Sequence, residues 1–95
     1  SNAAYETPGY TRSVTLHADS LVTLHGNTWR LPAHPTDGQV ATLISPQNMA
    51  GLTVAPSPSG PPNPINGQPA GLLNGYTTLS YRFSVVRQAW LMGAQ

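Results

Sequence analysis

Between residues 56 and 69 the chain carries six of its ten prolines, together with Gly60 and Gly67 and no aromatic residue. Proline holds φ near about −65°, has no N–H to donate and clashes in a helix interior. This stretch can be neither a helix nor a central strand. It is read as an extended surface loop of polyproline character, interrupted at Ile65-Asn66-Gly67. The same restriction acts elsewhere. Pro32 stops a strand, Pro35 fixes φ in a loop and Pro46 follows the end of another strand, and no convincing helical pattern appears anywhere. Short segments with closely spaced turn residues point to an all-β sandwich or barrel.

Within those limits the periodicity is that of half-buried strands. Val14-Thr15-Leu16-His17 recurs as Val22-Thr23-Leu24-His25, each copy alternating apolar and polar residues. A three-residue loop, Ala18-Asp19-Ser20, predicts a hairpin pairing Leu16 with Val22 and Val14 with Leu24 on one face. A four-residue loop would mix the faces. Thr28-Trp29-Arg30-Leu31 reads as a strand stopped by Pro32, and residues 33–38 as a loop closed by Asp37-Gly38. Residues 39–44 and 51–54 follow as strands. Residues 76–85 form the longest, with Leu79, Tyr81, Phe83 and Val85 facing one way and Thr78, Ser80, Arg82 and Ser84 the other. Val86-Arg87-Gln88 turns the chain, and Ala89-Trp90-Leu91-Met92 closes the sheet. The expected fold is a small antiparallel β-sandwich or barrel. Residues 13–95 make one all-β domain. Residues 1–12 are read as linker, opened by Ser1-Asn2-Ala3, which looks like a protease-cleavage scar from recombinant expression. On that reading the domain is part of a longer protein.

Charge narrows the function. Only 7% of residues are charged, against roughly a quarter in an average globular domain. Arg12, Arg30, Arg82 and Arg87 stand against Glu6, Asp19 and Asp37, with no lysine. A net charge of +1 gives no basic footprint for nucleic acid and no polybasic signal for a membrane surface. No apolar run nears the roughly 20 residues of a membrane span, so membrane insertion is not expected. Cysteine is absent, which removes disulfides, thiolate metal sites and a cysteine nucleophile. A chain this short buries only about 60–65% of its unfolded surface, so oligomerisation is the expected source of further stability.

Catalytic chemistry is poorly supplied. Glu6 falls in the linker, and Asp19 and Asp37 both fit turn roles, which leaves no carboxylate pair for glycoside hydrolysis. No strand–elbow–helix context presents a serine nucleophile, and the absent lysine removes Ser-Lys dyads and phosphate loops of the Walker type. The chain is read as a non-enzyme with no catalytic residue and no cofactor. His17 and His25 lie at opposite ends of the predicted hairpin, too far apart for one ion, and with His34 they read as exposed polar residues. A threefold axis, with one histidine per chain converging on it, is the arrangement that would alter this. Trp29, Tyr81, Phe83 and Trp90 read as core or subunit interface. Tyr76 follows Asn74-Gly75 at a loop edge and is the best platform for stacking on a sugar. Asn74, Asn63 and Asn66, with Asn48, would offer neutral hydrogen bonds beside it.

The stretch from Trp29 to Gly38, Trp-Arg-Leu-Pro-Ala-His-Pro-Thr-Asp-Gly, resembles the start of the W-x-L-P-x-x-P-x-D-G-x-x-V stretch of small β-domains in bacteriophage tail fibres and tailspikes, with Val40 one position short of the pattern's valine. In those domains an L-T-V-x-P segment, an I-N-G turn and a strand ending in tryptophan follow. Here Leu52-Thr53-Val54-Ala55-Pro56, Ile65-Asn66-Gly67 and Trp90 occur in that order, so the resemblance covers about residues 28–92. It implies a non-enzymatic homotrimeric domain near the distal end of a virion adhesion protein. Such a domain caps the fibre, assists trimerisation or contacts bacterial surface polysaccharide. It would be located in the virion and assembled in the host cytoplasm, where lacking disulfides is no handicap. The rival reading is a carbohydrate-binding module of a bacterial secreted enzyme.

Overall fold

Trp29 and Tyr81 meet edge to face, with ring centroids 5.9 Å apart and ring planes at 66°. Both are fully buried, and the strands that carry them belong to different sheets. The computed structural model describes residues 4–6, 14–17, 28–44, 48–69 and 71–93. In chain order the strands are β1 (Ala4–Glu6), β2 (Val14–His17), β3 (Thr28–Leu31), β4 (Val40–Ile44), β5 (Met49–Ala50), β6 (Thr53–Pro56), β7 (Ile65–Asn66), β8 (Leu72–Leu73), β9 (Thr78–Ser84) and β10 (Ala89–Met92). One sheet has the order β1-β3-β6 and a second the order β2-β4-β9-β10-β7, while β5 and β8 form a separate ribbon. The described residues contain no helix, so the fold is all-β.

The pairings are not uniformly antiparallel, as alternation alone had led us to expect. The strand pairs β4–β9, β9–β10 and β5–β8 are antiparallel. The pairs β1–β3, β3–β6, β2–β4 and β10–β7 are parallel. Side-chain alternation reports which face is buried and says nothing of the partner's direction. Parallel neighbours arise because the chain passes from β3 in one sheet to β4 in the other before β6 returns beside β3.

Three local expectations change. Residues 4–6, read as linker, form β1, with Tyr5 in register with Trp29. The pairing is made by backbone groups, so no apolar period marks it. Val14–His17 is a strand, but it lies parallel to β4, with Leu16 opposite Leu43. The repeat copy at residues 22–25 lies outside the described residues, and so does the hairpin it would complete. Val85, expected to point inward with Phe83, is exposed in the turn that follows β9.

The alternating residues fill the space between the sheets. Trp29 and Leu31 of β3 and Val54 of β6 face Ala41 and Leu43 of β4, Leu79, Tyr81 and Phe83 of β9, and Trp90 of β10. Phe83 and Trp90 are direct cross-strand partners whose rings meet edge to face at 5.3 Å. Such a pair contributes about 0.5–1.5 kcal/mol beyond its area burial.

The loop between β3 and β4 is built into the fold. Pro32, Ala33 and Gln39 are buried. The Gly38 N–H donates to Phe83 O (2.8 Å) and the Phe83 N–H to Gln39 O (2.9 Å), extending the β4–β9 ladder backwards. Asp37 Oδ1 accepts the Val85 N–H at 2.9 Å. Gly38 supplies the positive φ, 79°, that the turn demands.

The proline-rich segment is extended, as its composition dictates, and is fastened along its length. A Cβ on Gly60 would run into the Ala33 carbonyl, so the segment lies directly against the β3–β4 loop. The Trp90 N–H donates to Pro64 O at 2.9 Å, which carries the segment into the β10 edge as β7. The Tyr81 hydroxyl donates to Gly67 O at 2.9 Å. The Gln68 carboxamide accepts the Val54 N–H (2.9 Å) and donates to Val54 O (2.8 Å).

Two predictions follow from these contacts. Gly38→Val forces a β-branched residue into positive φ and should lower unfolding free energy by about 1–3 kcal/mol. Asp37→Asn keeps an acceptor for the Val85 N–H and should be nearly neutral. Urea titration of both variants checks the pair. Burial pushes the Tyr81 hydroxyl up to about 12. The unfolded chain begins to lose this proton near the ordinary tyrosine value of about 10. Over that window the unfolded state holds fewer protons than the folded one, so stability falls as pH rises, by about 2–3 kcal/mol. Urea midpoints between pH 8 and 12 should show this slope, and Tyr81→Phe should flatten it.

Candidate functional site

Two surface features carry groups suited to binding. The first is the turn between β8 and β9. The Thr77 N–H donates to Asn74 O at 3.0 Å, closing a four-residue turn over Gly75 and Tyr76. Tyr76 takes φ 64°, while Gly75 is not in the left-handed region. A type II turn needs positive φ at its third residue and favours glycine there. Here the glycine comes one residue early and an aromatic occupies the left-handed position. That conformation costs about 1–2 kcal/mol for a residue with a Cβ. Tyr76 is 76% exposed, so core packing does not offset the strain. A strained conformation at an exposed aromatic makes Tyr76 a candidate contact residue. Asn48 Oδ1 accepts the Gly75 N–H at 2.9 Å and secures the knuckle.

The four residues singled out in the sequence do not converge. Asn74 and Tyr76 share this turn. Asn66 lies on β7, in register with Leu91, which is in register with Arg82. Arg82 stands four residues beyond the start of β9, about 13 Å along the strand. Asn66 is therefore two strands across and well up the sheet from Tyr76. Asn63 is 9% exposed, and its N–H donates to Pro61 O at 2.8 Å, so its side chain is not displayed to a receptor. The proline segment buries Asn63 against the sandwich and carries the exposed Asn66 on β7, both away from the Tyr76 turn.

The second feature is a cleft of about 440 Å³ lined by Asn66, Arg82, Arg87, Leu91 and Met92. Arg82, Leu91 and Asn66 stand side by side on β9, β10 and β7. Arg87 reaches the cleft from the turn at residues 85–88. Ser84 Oγ accepts the Arg87 N–H at 3.2 Å. Gln88 takes φ 52° and bonds Val85 O through its N–H (3.2 Å) and its Nε2 (2.9 Å). The turn therefore has a defined shape. Reading the sequence missed this cluster. The available signal was that two of only four cations stand five residues apart on one predicted hairpin.

The other polar candidates have structural roles or stand apart. Arg30 Nη1 donates to Pro56 O at 3.0 Å, across β3 and β6. Asp37 holds the Val85 N–H. His34 is exposed in the β3–β4 loop. Among the described residues no three histidine or carboxylate side chains cluster as metal ligands would. No family model, curated protein or solved structure matches the chain.

Replacing Tyr76 by glycine should relieve the turn. Tyr76→Gly is expected to raise unfolding free energy by about 0.5–1 kcal/mol, since an exposed ring is lost and an unfavourable φ is removed. Thermal and urea unfolding check this. A loss of stability would show that the ring packs against the protein.

Proposed function

We propose that the chain is a structural and adhesive module of a phage tail fibre or tailspike, assembled as a homotrimer in the virion and contacting host-surface glycan. It performs no catalysis on this reading. The observation that carries it is the outer face of the five-stranded sheet. Val40, Thr42 and Ile44 of β4 and Ser80 of β9 form a half-buried patch of uncharged side chains there, bordered by Arg82 opposite Val40, with Thr42 Oγ1 and Ser80 Oγ 3.2 Å apart. β-Branched and hydroxyl side chains on a regular sheet suit close approach of identical copies. The small core makes further burial of this kind valuable.

The residues that resemble the tail-fibre pattern also support the reading, because they act as one unit. Trp29 and Leu31 enter the core, Pro32 and Ala33 lie buried beneath Gly60, and Asp37-Gly38 ties the β3–β4 loop to β9. Glycan contact is assigned to the strained, exposed Tyr76 beside Asn74. A single such contact is weak, and three copies on one fibre would raise the avidity.

Sedimentation of the intact chain at micromolar concentration should give ~30 kDa, three copies of 10.0 kDa. Ile44→Arg places like charges against one another in the trimer and should yield a folded 10.0 kDa species, with the near-ultraviolet dichroism of the buried tryptophans retained. A wild-type monomer overturns the assembly reading. For attachment, Tyr76→Gly should lower adsorption of particles to host cells more than tenfold while the trimer persists. Unchanged adsorption removes Tyr76 from the receptor site.

A further inference from the structure

The cleft beside β7 has a chemistry that the Tyr76 turn lacks. Arg82, Arg87 and Asn66 line it together with Leu91 and Met92, so cationic, amide and apolar side chains share one cleft. Arg87 is exposed and Arg82 half-buried. Among the residues whose side chains are described, Asp37 is the only carboxylate. It bonds the Val85 N–H and does not line the cleft. None of the described side chains that line the cleft is acidic.

We infer that this cleft binds the anionic group of an acidic saccharide. A guanidinium presents a planar fork of donors that matches a carboxylate or phosphate bidentately. A carboxamide both donates and accepts, which suits the hydroxyls of a sugar ring. Leu91 and Met92 offer an apolar surface for the ring's C–H face. The volume of about 440 Å³ lies within the range of small-ligand sites. The whole chain carries a net charge of only +1, so long-range attraction for polyanions is weak. Selection for an acidic sugar therefore comes from the cleft. The bonds of Ser84 and Gln88 hold the backbone of the turn before ligand arrives, which reduces the ordering cost of bringing Arg87 to the anion.

The inference rests on the attachment reading for the sugar, and on the cleft alone for the acidic group. The test titrates the intact chain with three oligosaccharides of equal length, one bearing uronic acid, one bearing phosphate and one neutral, and with a short acidic peptide. The readout is chemical-shift change or heat. At least one acidic oligosaccharide should bind tenfold or more tightly than the neutral one, and the two acidic arms tell carboxylate from phosphate. Arg87→Gln should reduce acidic binding to the neutral level without changing the melting temperature. Arg87→Lys should recover part of it. Equal affinity for acidic and neutral sugars overturns the inference, and so does acidic binding that survives Arg87→Gln. An acidic peptide that binds as well as the sugars overturns the assignment to saccharide. The attachment reading fails separately. If it is wrong, the neutral oligosaccharide does not bind, or binds with no dependence on Tyr76.

Discussion

The Tyr81 side chain joins three parts of the molecule from one position at the centre of its core. Its ring lies edge-on to Trp29 and so links the five-stranded sheet to the three-stranded one. Its hydroxyl donates to Gly67 O and pins the end of the proline-rich segment. A phenol is well suited to the position, because its body belongs in the core and its tip needs a partner. Phenylalanine would keep the sheet contact and leave the Gly67 carbonyl to find another donor. With no disulfide to fasten the long segment, a bond from the centre of the core is an economical anchor.

The fold was legible where residues alternate between breakers. Residues 28–31 and 89–92 form strands with the bounds their sequence implies. Trp29, Leu31, Tyr81, Phe83 and Trp90 are buried because they occupy the inward positions of those strands and of β9. Strand direction was not legible, since alternation is the same for parallel and antiparallel neighbours. β1 was missed because its pairing uses backbone groups, and β5 and β8 because two residues cannot show a period. Val85 extends the alternation of β9 by one step into a turn, where the pattern loses its meaning.

The site was legible in part. Tyr76 was recognisable as an aromatic at a loop edge, but its own backbone was not, since the preceding Gly75 is the residue that positive φ favours. The left-handed conformation falls on the tyrosine instead. The grouping of Tyr76 with Asn63 and Asn66 failed because it assumed a loop projecting from the sandwich. The segment lies along the sandwich and buries Asn63. The arginine cleft was out of reach for the opposite reason. It exists because Arg82, Leu91 and Asn66 fall into one row across three strands, and that register is set by hydrogen bonds the sequence does not display.

The Gln68 carboxamide has an effect beyond the contact it makes. Its two bonds to Val54 are the pair that a neighbouring strand's peptide group would otherwise form. Two residues along, Pro56 has no N–H, and its carbonyl already accepts from Arg30. At Val54 and Pro56 the margin of the β1-β3-β6 sheet is therefore closed to strand addition by another chain, the route by which exposed sheet margins aggregate. In any assembly that held several copies at close quarters, this closure would keep identical chains from joining edge to edge along β6.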